Sequence, residues 1–237
     1  MYQTAAQLAE QMPDARYLMS DEPEMESSLH YLQLLLLVSC LDWYWRDRND
    51  YFLGANLTIY FNRQQLKNRD FRGPDLFLVK DVDNHLRPSW VVWEEGGKYP
   101  NLIIELLSDS NASVDRIEKK ELYQNYFRIP EYFWSSPDDL GSVDYRLIGN
   151  QYQEISLTAD GKLWSEELGL FLGIKNHQLR YFTPEGELVA SPKDVALQEM
   201  ERAEQQQRLA QQEKQQRADR LAEYLQSLGV NPDDLPG

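Results

Sequence analysis

The run Asn101-Leu-Ile-Ile-Glu-Leu-Leu107 constrains what this chain can fold into more than any other stretch. It sets one carboxylate, Glu105, inside an apolar segment bounded by Pro100 and by Ser108-Asp109-Ser110-Asn111. Its length and the paired Ile103-Ile104 predict a buried strand rather than a helix. An ionised Glu in such a strand is costly unless a cation or a metal pairs with it. The polar quartet that follows is rich in N-cap residues, so Ala112 to Tyr126 reads as the next helix. Asp115, Lys119 and Tyr123 recur on it at i, i+4 and i+8 and share one face. Pro130 stops the helix, and Glu131-Tyr132-Phe133-Trp134 resumes as an aromatic strand.

The flanking segments divide the chain into an N-terminal arm (1–23), one folded domain (24–192) and a helical tail (193–237). A short helix is expected in the arm at Thr4 to Met12. Glu24 to Leu41 predicts the first firm helix, with Leu29, Leu32, Leu36 and Cys40 on one stripe and Ser27 or Ser28 near its start. Glu26 and His30 stand one turn apart on it, either as surface residues or as members of a metal site. Phe52 to Asn62 alternates towards a strand at Leu57–Phe61. Arg63, Lys67, Arg69 and Arg72 then make a basic loop, either solvated or touching phosphate. Gly73-Pro74-Asp75 introduces a second apolar strand at Leu76–Val79. Asp75, at its mouth, reads as a turn residue or as a second site carboxylate. Trp90–Trp93, Glu94, Glu95 and Gly96-Gly97 read as a hairpin arm, its glutamates facing solvent or approaching the site.

After Trp134 the chain breaks into short strands at Asp144–Leu147, Tyr152–Leu157, Leu163–Trp164, Gly169–Ile174 and Gln178–Phe182. Turn signals between them predict a β-meander packed on the sheet. Val195 to Leu228 lacks Gly and Pro and predicts a long solvated helix capped by Gly229. Leu197, Met200, Ala218, Leu221, Leu225 and Leu228 follow a 3.5-residue seam. Its middle is polar, at Glu204, Gln207, Gln211 and Lys214, so the tail is a weak coiled coil that offers a homodimer contact.

The net charge of −15 argues against indiscriminate binding to a polyanion, yet leaves room for a metal site that acts on one. The single cysteine, Cys40, excludes an intramolecular disulfide. The N-terminus carries no signal pattern, and the longest apolar run, Leu32 to Cys40, is too short to span a membrane. A cytoplasmic protein is the expectation.

Asp75 and Glu105 on neighbouring strands, with Lys119 on the following helix, are what metal-dependent phosphodiester hydrolysis requires. Magnesium binds through one or two carboxylates and keeps several waters. It polarises phosphate and acidifies an attacking water, while a lysine stabilises the developing charge.

At these residues a family resemblance emerges. Pro74-Asp75, Ile104-Glu105-Leu106-Leu107-Ser108, Asp115-Arg116-Ile117-Glu118-Lys119 with Tyr123, and Ile129-Pro130-Glu131-Tyr132-Phe133-Trp134 together resemble the Uma-type putative restriction endonuclease family, a large bacterial group expanded in cyanobacteria. The resemblance covers roughly Glu24 to Gly173. It implies an α/β fold of the PD-(D/E)XK nuclease superfamily, with a restriction endonuclease-like core and a mixed central sheet flanked by helices. It further implies a DNA endonuclease using Mg2+ or Mn2+, with Asp75 and Glu105 as metal ligands and Lys119 completing the catalytic set. The superfamily's usual lysine position, two residues after the glutamate, holds Leu107 here. The family displaces that lysine onto the helix, which aligns with Lys119. Lys120 points about 100° away and cannot serve equally. The alternative is a nuclease-derived fold that binds a partner without cleaving anything.

Overall fold

The structure, a computed structural model, describes residues 4, 7, 14–22, 27–62, 65, 73–106, 112–135 and 142–228, without the side chains of 112–116, 142, 143 and 226. The element order is α1 (Ser28–Tyr44), β1 (Tyr51–Ala55), β2 (Ile59–Tyr60), β3 (Leu76–Lys80), β4 (Trp90–Val91), β5 (Leu102–Leu106) and α2 (Ala112–Leu122). A π-helical turn (Tyr123–Phe127) continues α2. Then come β6 (Glu131–Ser135), β7 (Ser142–Ile148), β8 (Gln151–Glu154), β9 (Leu163–Ser165), β10 (Leu170–Lys175), β11 (Gln178–Phe182) and α3 (Pro192–Ser227).

The central sheet is six-stranded and mixed, in the order β1-β3-β5-β6-β7-β8. β3 runs antiparallel to β5, with Leu76 opposite Ile104 and Phe77 opposite Ile103. β5 and β6 are parallel, which requires a crossover, and α2 with its π turn supplies it. The strands around Asp75 and Glu105 therefore lie side by side in one sheet.

Alternation along the strands separates two cores. Leu76, Leu78, Leu102, Ile104, Leu106 and Phe133 face Leu34, Leu37, Cys40 and Leu41 of α1. Leu163, Leu170, Leu172, Leu179 and Tyr181, from β9, β10 and β11, complete this layer. On the opposite face Phe77, Val79, Ile103 and Tyr132 pack with Tyr123 and Phe127 of the π turn.

The buried side of α1 differs from the expected stripe. Gln33, Leu34, Leu37, Cys40 and Leu41 are buried, whereas Leu29 and Leu32 are about half exposed, at 52% and 54%. Leu34 to Val38 is apolar without interruption, so periodicity alone cannot choose the inward face. What chooses it is tertiary. Gln33 donates through Nε2 to the Leu179 carbonyl and accepts through Oε1 from the Leu179 N–H, both at 3.0 Å, locking α1 to β11.

Three further expectations are revised. The strand at Leu57–Phe61 shrinks to the two residues of β2, because Asn56 turns the chain at φ 45°. Trp90–Trp93 forms no hairpin; β4 pairs in parallel with β2 instead. The meander is divided as well: β7 and β8 extend the central sheet, while β9, β10 and β11 make a separate antiparallel sheet. The arm helix at Thr4 to Met12 and the basic residues Arg63, Lys67, Arg69 and Arg72 lie outside the described residues, apart from Thr4 and Gln7.

The chain divides into two compact units, Met1–Val189 and Ala190–Gly237. The first contains both cores. The second is built on α3, opened by Ser191, whose hydroxyl accepts the Asp194 N–H at 3.1 Å while the Asp194 carboxylate accepts the Ser191 N–H at 2.9 Å. Deleting residues 193–237 is expected to leave one cooperative unfolding transition with its midpoint nearly unchanged, read by circular dichroism. Loss of cooperativity would show that the tail is integral to the domain.

Candidate active site

Gly73-Pro74 brings Asp75 to the mouth of β3. A side chain on Gly73 would run into the Leu57 carbonyl, so only glycine lets the backbone pass there. The Gly73 N–H is fixed by Glu22 Oε1 at 2.5 Å, and the Asp75 carbonyl accepts the Asn56 N–H at 2.8 Å. Across the strand pair, Asp75 Oδ2 accepts the backbone N–H of Leu106 at 2.7 Å, tying the carboxylate to the residue after Glu105. Its other oxygen, Oδ1, lies 2.8 Å from His30 Nε2.

Glu105 points to the α2 side of the sheet. It is 3% exposed, and both oxygens are held: Lys119 Nζ donates to Oε2 at 3.0 Å and Tyr123 Oη to Oε1 at 2.8 Å. The spacing of four residues brings both donors over the strand from one helical face. The π turn opens at Tyr123, whose buried ring meets Tyr132 edge-on at 5.2 Å. This packing steadies the hydroxyl that meets Glu105.

Burial dominates the electrostatics of Glu105 and pushes its carboxyl up to about 7, with Lys119 pulling it down and the nearby Asp75 charge pushing it further up. Burial likewise drives the Tyr123 phenol well above its ordinary value, so it stays a hydrogen-bond donor.

The structure thus brings together Asp75, Glu105, Lys119 and Tyr123. Lys120 goes elsewhere: its Nζ sits 3.7 Å from the centre of the Tyr145 ring. His30 joins the cluster, one of the two alternatives open for it in the sequence, through a partner, Asp75, that lies 45 residues away. Glu94 instead accepts the Ala15 N–H at 2.9 Å, and Glu95 pairs with Arg87. Glu26 and the side chain of Asp115 lie outside the described residues.

Among the described residues no group of three or more His, Cys, Asp and Glu side chains forms a ready-made metal cage. The donor set does fit a hard, hydrated cation. Each of the four carboxylate oxygens spends one acceptor direction on its protein partner and keeps another, and magnesium needs only one or two carboxylates beside its waters.

Comparison with known proteins adds to the geometry. The model of a family named Uma2 and described as "Putative restriction endonuclease" matches residues 7–176, well over half of the chain. Among solved structures, one described as a "putative nuclease belonging to DUF820", from Anabaena variabilis, is similar at 14% identity. That likeness covers 70% of this chain and 91% of the other, with a TM-score of 0.44. No curated protein matches. No helix among the described residues is long and apolar enough to cross a membrane.

Proposed function

Because the chain belongs to the Uma2 family of putative restriction endonucleases, we propose that it is a metal-dependent endonuclease hydrolysing phosphodiester bonds in DNA. In this reading Asp75 and Glu105 hold Mg2+ or Mn2+, and Lys119 is the catalytic lysine. The observation that carries it is the placing of two carboxylates and a lysine, from the mouth of β3, from β5 and from α2, beside one another: Asp75 holds the N–H next to Glu105 and its charge acts on that carboxyl, while Lys119 pairs with Glu105.

When bound, the cation would polarise the scissile phosphate and acidify the attacking water. The remaining work falls to the chain. The Leu106 N–H and His30 fix the two oxygens of Asp75, so the carboxylate meets its ligand without losing rotamer freedom. Tyr123 does the same for Glu105 from the buried side. Lys119 holds a positive charge against Glu105 before any ligand arrives. Its side chain is 17% exposed, and turned towards substrate it would orient the water or stabilise charge on the pentavalent phosphate. Sitting on the helix rather than on β5, it fills the part that Leu107 cannot.

A net charge of −15 means that DNA affinity must come from the site and from local basic residues rather than from the whole surface. Cleavage should accordingly weaken as ionic strength rises.

Calorimetric titration with Mg2+ and with Mn2+ tests the reading. Wild type is expected to bind either ion, and Glu105→Gln to lose that binding while still unfolding cooperatively. If wild type takes up neither, the chain is better understood as a nuclease-derived fold that binds a partner without cleavage.

A further inference from the structure

α3 is a 36-residue helix whose apolar side chains face solvent. Leu197, Met200, Leu221, Tyr224 and Leu228 are between 45% and 62% exposed. Among the described residues, the contacts within α3 include isolated polar pairs such as Gln215 with Asp219 at 2.7 Å and Arg208 with Glu204 at 3.7 Å. Helices of this kind gain most of their stability from packing an apolar face, and this face has a seven-residue repeat. The core positions of that repeat are Leu197, Met200, Glu204, Gln207, Gln211, Lys214, Ala218, Leu221, Leu225 and, just past the helix, Leu228.

We propose that two copies of this chain pair along α3 in antiparallel orientation, with Leu197 and Met200 of one against Leu228 and Leu225 of the other. Charge favours a second copy over a charged partner. Six basic and seven acidic residues nearly cancel on α3, so the helix is almost neutral in a chain of net charge −15. Two acidic copies can therefore approach along it with little repulsion.

Charge also selects the direction. In a parallel pair every core residue meets itself, so Glu204 would face Glu204 and Lys214 would face Lys214 at two inward positions. In the antiparallel register Glu204 lies beside Leu221, Gln207 beside Ala218, and Lys214 beside Gln211. No like charges meet in the core, and the apolar ends cover each other. The polar waist is then a device that fixes direction at some cost in affinity.

Light scattering and thiol cross-linking of the full chain test this. Wild type is expected to dimerise with rising concentration, and Leu221→Glu combined with Leu225→Glu to be monomeric. Met200→Cys and Leu225→Cys are then oxidised singly and as a mixture; the native Cys40 is buried and does not compete. The mixture is expected to form a disulfide dimer at least about tenfold faster than either variant alone, because like positions in the antiparallel pair are roughly 38 Å apart. Efficient cross-linking of Met200→Cys with itself would establish a parallel pair and overturn the proposal. So would a wild type that stays monomeric at every concentration. A dimer that survives the double Glu variant would also overturn it, pointing instead to the exposed Leu29, Leu32 and Leu35 of α1.

Discussion

Supercoiled plasmid incubated with wild-type protein and Mg2+ or Mn2+ is expected to be nicked, and to stay intact with Asp75→Asn or Glu105→Gln. Each change removes one anionic ligand from a two-carboxylate site, so metal affinity and cleavage should fall together, with EDTA reproducing the effect on wild type. Neither variant should unfold the protein. Asn keeps an oxygen for the Leu106 N–H at position 75. At position 105 the neutral amide lifts the cost of burying charge, but it turns its NH2 towards Lys119 or Tyr123 and leaves Lys119 without its counter-charge, so some loss of melting temperature is expected in a still cooperative fold. A cooperative unfolding transition kept beside abolished nicking is therefore the signature. Nicking that persists in Glu105→Gln, or a wild type inert with every metal and DNA form tried, would remove the case for catalysis.

The lysines give the second large effect. Lys119→Ala is expected to keep most of its metal binding and to cut the cleavage rate by about 100-fold or more, the scale of a contact made in the transition state. Lys120→Ala should leave the rate nearly unchanged, since its ammonium rests on the Tyr145 ring. Single-turnover rates on a short duplex at saturating metal separate the two outcomes. Equal losses in both variants would mean that general positive charge, rather than the Lys119 geometry, supports the reaction.

Much of the core was legible because local patterns decide it. Leu76–Val79, Leu102–Leu106 and Glu131–Trp134 are compact apolar or aromatic runs between turn residues, and all three are strands. Lys119 and Tyr123 were visible as one face because helical spacing alone puts them there, and both reach Glu105. What escaped depends on partners far along the chain. The bond from His30 to Asp75 spans 45 residues, and that from Gln33 to Leu179 spans 146, so no local period announces either. The parallel pairing of β2 with β4 was hidden for the same reason, since two-residue strands carry no pattern of their own. The π turn at Tyr123 was equally unreadable, because Tyr123-Gln-Asn-Tyr-Phe127 suits an ordinary helix just as well.

The burial of Glu105 has a consequence for how protons and ligands exchange. Its ordinary value is 4.5 and the fold lifts it to about 7, so between these limits the metal-free fold keeps a proton that the unfolded chain has released. That contribution to stability is complete below about pH 4.5 and disappears as pH climbs through 7, where the burial of charge must be met in full. On the proposed reading Glu105 has to shed this proton before it can hold a cation, so cation uptake should acidify its surroundings. Apparent affinity should then rise about tenfold per pH unit below 7 and flatten above it. Titrations repeated in buffers of different ionisation enthalpy would register the released proton directly, as a heat that tracks the buffer.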